Sequence, residues 1–324
     1  MTERADIIDR FIADSAWAAW ARYPLAGDAS ARRYERLVNG QHSVIVMDAP
    51  PETGLSTQPF ADMTRFLRDT GLCPPEILAH DADRGIMVLS DLGKNDFAQW
   101  LTMHPHENTT LYRAAVDVLI KVEREIWPSG LTKLTPEVGA NMVEITGEFY
   151  AGHPLPDLIT AVRKALEAHA PDANTLALRD FHAENLIWRP DQTGINRVGL
   201  LDYQDAFVAP SGYDLVSLLR DVRRDIDPKF ANDMTAYYIE NANAGPDFRA
   251  QLAILGVQRN LRILGVFARL SVEAGKKRYI DLIPRVWKNL MHDLDHPTLK
   301  KELAQVVNDT LPVPNASTLA RLRA

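Results

Sequence analysis

Three polar residues stand at a spacing suited to handling phosphate: Asp180, Asn185 five residues later, and Asp202 at the end of the apolar run 198–201. They lie in Leu178-Arg179-Asp180-Phe181-His182-Ala183-Glu184-Asn185-Leu186-Ile187 and in Gly199-Leu200-Leu201-Asp202-Tyr203-Gln204-Asp205. Transfer of a γ-phosphoryl group asks little covalent help of a protein, but it needs an oriented hydroxyl and metal ions that bridge the phosphate oxygens. An acid at a strand end can accept a hydroxyl proton, and an amide with a second acid offers the hard oxygens that magnesium prefers. An acid–amide–acid set supplies both needs. Asp205 fits two roles, contact with the metal or a substrate hydroxyl, or N-cap of a following helix. Other chemistries fit less well. His104, His106, His292 and His296 lack the paired spacing of a zinc site, and neither Ser129-Gly130 nor Ser211-Gly212 lies in the Gly-x-Ser-x-Gly frame of a hydrolase nucleophile.

The elements that must position these residues follow from periodicity. Residues 6–20 repeat apolar positions at helical spacing. Residues 34–38 and 43–48 read as strands joined through Asn39-Gly40, a dipeptide suited to a tight hairpin. A helix over 59–70 stops before Gly71, and a strand over 85–89 runs into Ser90-Asp91-Leu92-Gly93. Helices then dominate: 95–101, 109–126, 136–150 and 156–169. Around the polar set come strands 186–188 and 198–201, and beyond Tyr213 long helical stretches include 252–270, 284–294 and 299–307. The expected class is α+β, with a small β-rich lobe over 1–92, a larger mainly helical lobe over 93–311 and a loosely attached tail over 312–324.

With 324 residues, 46% of them hydrophobic and 24% charged, the chain can bury a large core. Its net charge of -7 argues against a general nucleic-acid binder. The most apolar stretches, 252–257 and 261–270, are interrupted by Arg259, Arg262 and Arg269 before they could span a bilayer, so no membrane role is expected. The first residues lack the basic patch and apolar run of a secretory signal. Cys73, the single cysteine, cannot form an internal disulfide. The expected place is the cytoplasm and the expected partners are small molecules. Arg259 and Arg262 are charges on an otherwise apolar helix and need partners: either an anionic sugar or internal acids, with internal pairing the preferred reading. Asp214, in a Tyr-Asp-Leu helix start, reads as an anchor for the loop that carries Asp180.

The run from Leu178 to Asp205 resembles the catalytic and metal-binding loops of the aminoglycoside phosphotransferase family, relatives of protein and choline kinases, in both order and spacing. That resemblance implies a protein-kinase-like two-lobed fold, with a small antiparallel-sheet lobe, a larger mainly helical lobe, and ATP in the cleft between them. It implies Asp180 as catalytic base, Asn185 and Asp202 as magnesium ligands, His182 as a loop-shaping residue, and Mg2+ and ATP as cofactor and co-substrate. Where the family usually has His-Gly before its catalytic Asp, this chain has Leu178-Arg179. Arg179 then either approaches phosphate or a charged substrate, or pairs within the loop.

Further runs are similar to the bacterial cell-wall amino-sugar kinases, which phosphorylate the anomeric hydroxyl of N-acetylmuramate and N-acetylglucosamine. They are Gly27-Asp28-Ala29-Ser30-Ala31-Arg32-Arg33-Tyr34, Met47-Asp48-Ala49-Pro50-Pro51, Leu89-Ser90-Asp91-Leu92-Gly93, Tyr213-Asp214-Leu215-Val216-Ser217-Leu218-Leu219 and Gln258-Arg259-Asn260-Leu261. By this resemblance Gly27, Asp28, Ser30, Arg32 and Arg33 form the turn over the nucleotide phosphates, and Leu89, Ser90, Asp91 and Leu92 the hinge whose backbone meets adenine. The acceptor implied is a sugar or amino sugar. One departure stands out: the third strand, which usually offers a Lys to the phosphates, carries Met47, and the next helix has Asp62 and Arg65 but no matching Glu. Arg32 or Arg33 is expected to replace that Lys, since a guanidinium binds phosphate bidentately. Two alternatives stay open. An aminoglycoside kinase would need several acids for a polycation, for which Asp221, Asp225 and Asp227 lie unfavourably among Arg220, Arg223 and Arg224. A catalytically silent nucleotide-binding scaffold would account for Met47.

Overall fold

Alternate residues Val44 and Val46, with Ile86, Val88 and Leu37, bury one face of an antiparallel sheet, as the two-residue period of a strand requires. The computed structural model describes residues 2–25 and 32–323. They divide into two compact units, Met1–Ala114 with Glu184–Asp205, and Ala115–Ala183 with Ala206–Ala324. In the first unit, helix α1 (Thr2–Ala13) lays Ile8 and Ile12 on that buried face. It ends at Ala13, well short of the expected residue 20. The Ser15 hydroxyl donates to the Ile12 carbonyl (2.7 Å) and accepts from the Trp17 amide (3.1 Å), a local alternative to helix pairing. Trp17 and Trp20 still pack on the same cluster.

The sheet contains β1 (Ala21–Leu25), β2 (Arg33–Asn39), β3 (His42–Asp48), β4 (Ile77–Asp81) and β5 (Ile86–Ser90), in the order β1-β2-β3-β5-β4. Asn39 pairs with His42, so the two-residue hairpin turn is Gly40-Gln41, one position on from the expected one, with Gly40 at φ 60° supplying the left-handed first position. Between β3 and β4, helix α2 (Gln58–Asp69) buries Phe60, Met63, Thr64 and Leu67. After β5 comes α3 (Phe97–Met103), capped by the Asp96 carboxylate, and α4 (Asn108–Arg124) begins in the first unit and ends in the second.

In the second unit, the single helix expected over 136–150 is instead α5 (Pro136–Asn141) and a π-helical turn, Thr146–Ala151. Next come α6 (Pro156–His169) and β6 (Thr175–Ala177). The chain then supplies the first unit with an antiparallel hairpin of β7 (Leu186–Trp188) and β8 (Val198–Leu200) before β9 (Phe207–Ala209) returns to pair with β6. Six helices follow: α7 (Tyr213–Leu219), α8 (Pro228–Ala242), α9 (Phe248–Val272), α10 (Ile283–Leu294), α11 (Leu303–Thr310) and α12 (Ala316–Arg323). Because β9 rather than a helix follows Asp205, that residue is no N-cap. Residues 312–323 are not loose either: Thr318 and Leu322, four apart on α12, are buried, and the Tyr150 hydroxyl (2.7 Å) and Ser271 hydroxyl (2.9 Å) donate to the Pro312 and Leu322 carbonyls. No described helix is long and apolar enough to cross a membrane.

Helix α9 organises the second core, and it approaches the π-helical turn at backbone distance. The Thr146 hydroxyl donates to the Leu261 carbonyl (2.6 Å), and a Cβ on Gly265 would stand 2.6 Å from the Ile145 carbonyl and the Thr146 nitrogen. We expect Gly265→Ala to cost about 1–3 kcal/mol by overpacking, read as a melting temperature lower by roughly 5 °C. An unchanged melting temperature would contradict this contact.

Candidate active site

The loop carrying Asp180 is made of two three-residue turns: the Asp180 amide donates to the Leu178 carbonyl (3.0 Å) and the His182 amide to the Asp180 carbonyl (3.1 Å). The first turn holds Arg179 at φ 77°, a conformation that strains a side chain other than glycine. Asp214, in the first turn of α7 and almost fully buried, accepts from the amides of both Leu178 and Arg179, the latter at 2.9 Å. Arg259 of α9 takes the other side of the same residue, its Nη1 donating to the Arg179 carbonyl at 3.1 Å. Its Nη2 lies 3.8 Å from Asp180 Oδ1, whose side chain is 39% exposed, and its guanidinium stands 5.7 Å over the Tyr213 ring.

Burial sets the electrostatics of this loop. It pushes the Asp214 carboxyl up to about 7, against the two amide donors and Arg259. It also opposes the charge on Arg259, yet Tyr213 and Asp180 hold that guanidinium above its ordinary value. His182 is driven well below its usual range by burial, then by Arg223 and Arg259, so its ring is neutral at pH 7. Arg262, one turn along α9, is shifted down by burial and by the like charges of Arg179 and Arg259. Behind the loop, Glu123 of α4 accepts from the Gly212 amide (3.0 Å), the Ser211 hydroxyl (2.7 Å) and the Tyr238 hydroxyl, fixing the segment that leads into Asp214. Glu123 and Tyr213 are supports that motif spacing does not reveal.

Asn185 and Asp202 belong to the first unit. The Leu201 amide donates to the Asn185 carbonyl at 3.0 Å, bringing the two residues to the ends of β7 and β8. Asp202 takes φ 58°, which turns it out of the strand line. Its Oδ2 lies 3.4 Å from Asn185 Nδ2, and its Oδ1 accepts from Gln204 Nε2 at 2.7 Å. An amide rotated to present its oxygen, beside a carboxylate, matches magnesium, which takes one or two protein oxygens and completes its shell with phosphate and water. Among the described residues there is no group of three or more His, Cys, Asp and Glu that would cage a metal with protein atoms alone. Tyr203 fixes the strand end: its hydroxyl shares a 2.7 Å hydrogen bond with Thr64 of α2, and its ring stacks on Phe60 at 5.1 Å.

Gly27, Asp28 and Ser30 lie outside the described residues. Arg32 is buried, and the Tyr34 hydroxyl, pushed up to about 12 by burial, lies within electrostatic reach of both Arg32 and Asp202. Arg33 is exposed at the start of β2. Met47 is fully buried between its strand partners Tyr34 and Met87, so no cation projects from that position. Of the hinge run, Leu89 and Ser90 belong to β5, the Ser90 amide donating to the Glu76 carbonyl at 2.8 Å, whereas Asp91 and Leu92 have left the sheet. The Asp91 carboxylate is committed to Arg36 Nε at 2.6 Å and to the Gly93 amide at 3.0 Å. Asp205 is exposed beyond β8.

The family model described as the phosphotransferase enzyme family matches residues 23–252, more than half of the chain. The chain belongs to this family. Two curated relatives within reach of direct alignment are both N-acetylmuramate/N-acetylglucosamine kinases. The one from Caulobacter vibrioides is 32% identical over 88% of this chain and 91% of the relative. The one from Pseudomonas aeruginosa is 30% identical over 82% of each. Among solved structures, a choline/ethanolamine kinase family protein from Mesorhizobium loti superposes with a TM-score of 0.66 at 16% identity, covering 94% of this chain and 99% of that one. The fold of this phosphotransferase is therefore protein-kinase-like, with an N-terminal antiparallel sheet and a mainly helical remainder.

Asp214→Asn leaves one carbonyl oxygen where two carboxylate oxygens met two amides. We expect phosphotransferase turnover to fall by about 10²-fold through misplacement of the loop, and amide exchange at Leu178 and Arg179 to quicken. Normal turnover with normal exchange would remove Asp214 from this role.

Proposed function

We infer that this phosphotransferase is a magnesium- and ATP-dependent kinase of N-acetylated amino sugars, transferring the γ-phosphate to the anomeric hydroxyl of N-acetylmuramate or N-acetylglucosamine. The observation that carries the reading is the identity of about a third with a kinase of those two sugars over 88% of the chain. The local geometry agrees with it. Asp180 is partly open to solvent on a loop tied down from two sides, so its carboxylate can accept and orient a sugar hydroxyl. Asn185 and Asp202 are the residues that would hold magnesium, which when bound neutralises charge on the phosphates. Arg32, which like Asp202 lies within electrostatic reach of the Tyr34 hydroxyl, is the group that would meet phosphate in place of the absent Lys. The cytoplasm, where ATP is available, is the place for such an enzyme.

The aminoglycoside-kinase reading needs acids free to meet a polycation. Asp221 is buried and accepts from the Arg223 amide (2.9 Å), Asp225 pairs with Arg285 (3.0 Å), and Asp227 caps α8 through the Phe230 amide (2.9 Å). All three are committed. The scaffold reading is disfavoured by the intact acid–amide–acid set.

ADP release with magnesium-ATP, measured against N-acetylmuramate, N-acetylglucosamine, kanamycin, choline and homoserine, is expected for the two N-acetylated sugars alone. Asp180→Asn should lower that rate by roughly 10²- to 10⁴-fold. Turnover of kanamycin instead would transfer the protein to the antibiotic-kinase reading. In calorimetric titration with magnesium-ATP, Arg32→Ala should weaken binding by about tenfold or more, as loss of a charge-assisted hydrogen bond implies. Arg33→Ala should change it far less, and equal, unaltered affinities would sink the assignment of Arg32.

A further inference from the structure

Arg259 and Arg262 sit three residues apart on α9 and so share one face of that helix. Their circumstances differ. Arg259 is spent on the Arg179 carbonyl, on Asp180 and on the Tyr213 ring. Arg262 is half-buried and makes no hydrogen bond or ion pair among the described residues, although it feels Tyr213, Arg179, Arg259 and Asp180. A guanidinium withdrawn from water, beside two like charges and without an acid of its own, is a costly arrangement in the empty protein. It becomes favourable when a ligand brings an anion, and the planar fork of Arg fits a carboxylate through two parallel hydrogen bonds.

Resting on the reading of this protein as an amino-sugar kinase, we propose that Arg262 sets acceptor preference by receiving the lactyl carboxylate of N-acetylmuramate, the group that N-acetylglucosamine lacks. The place is suitable. Arg262 lies three residues along α9 from Arg259, whose Nη2 is 3.8 Å from Asp180, the residue assigned to the reacting hydroxyl, so a sugar that offers its anomeric hydroxyl to Asp180 can turn its ether-linked carboxylate towards Arg262. Arg179, held left-handed on the neighbouring loop, adds a second positive charge to the same neighbourhood. The cation thereby distinguishes two sugars of otherwise similar shape, because only one of them neutralises it.

The test is kcat/KM for both sugars and KM for ATP in the wild type, in Arg262→Met, which keeps an apolar stem, and in Arg262→Lys, which keeps charge but loses the fork. In Arg262→Met, kcat/KM for N-acetylmuramate should fall about 10- to 100-fold, as loss of a charge-assisted pair implies. N-acetylglucosamine should lose no more than about threefold, and Arg262→Lys should fall between. Equal losses on both sugars, a raised KM for ATP alone, or undiminished use of N-acetylmuramate would each overturn the proposal. Wild-type turnover of N-acetylglucosamine without N-acetylmuramate would also overturn it while leaving the kinase reading intact. Silence on both sugars would remove both.

Discussion

The peptide groups around Arg179 are the point on which the second unit's chemistry rests. A residue with a side chain at φ 77° costs on the order of 1–3 kcal/mol and persists only where its surroundings over-determine it. Here Asp214 holds the amide on one side and Arg259 the carbonyl on the other. Fixing both ends of the residue restricts the loop that carries Asp180, as the role proposed for that carboxylate in orienting a hydroxyl would demand. Asp214 is itself buried, so its placement depends on the turn before α7, and that turn is held by Glu123 at the end of α4. Three layers of hydrogen bonding thus stand behind one carboxylate.

The same neighbourhood shows how a protein keeps several guanidiniums close together. Repulsion among Arg179, Arg259 and Arg262 is moderated by Asp180 and by the electron-rich face and hydroxyl of Tyr213. His182 contributes no further charge, because burial and the nearby Arg223 keep its ring neutral. Burial of charge without full compensation costs stability, and in the proposed reading an anionic acceptor would relieve that cost.

Much of this was legible in the sequence. Asp180, Asn185 and Asp202 are set by order along the chain, and the two short strands that place the latter pair fall close to residues 186–188 and 198–201 as expected. Helix α6 matches its expected span because Pro156 opens it and its apolar residues recur at helical spacing. Other features depend on distant partners. Strand β1, with Pro24 in a mostly exposed edge, carries no alternation to read. The π-helical turn meets α9 at backbone distance through residues 145 and 146, and residues 150 and 271 receive the segment that leads into α12 and the end of α12 itself. The roles of Gln204, Tyr203 and Glu123 arise only when side chains from separate elements meet.

The interleaving of the chain has a consequence for gene recombination. Residues 184–205 belong to the first unit but are encoded inside the second, so the sequence changes unit at three junctions. A single crossover between two homologous genes cannot exchange one intact unit for another, because a cut before residue 184 parts the β7–β8 hairpin from the rest of the first unit, a cut within 184–205 splits it, and a cut after it divides the second unit. Point substitution on a helix such as α9 escapes that constraint, because it changes a side chain without parting segments that belong to one unit.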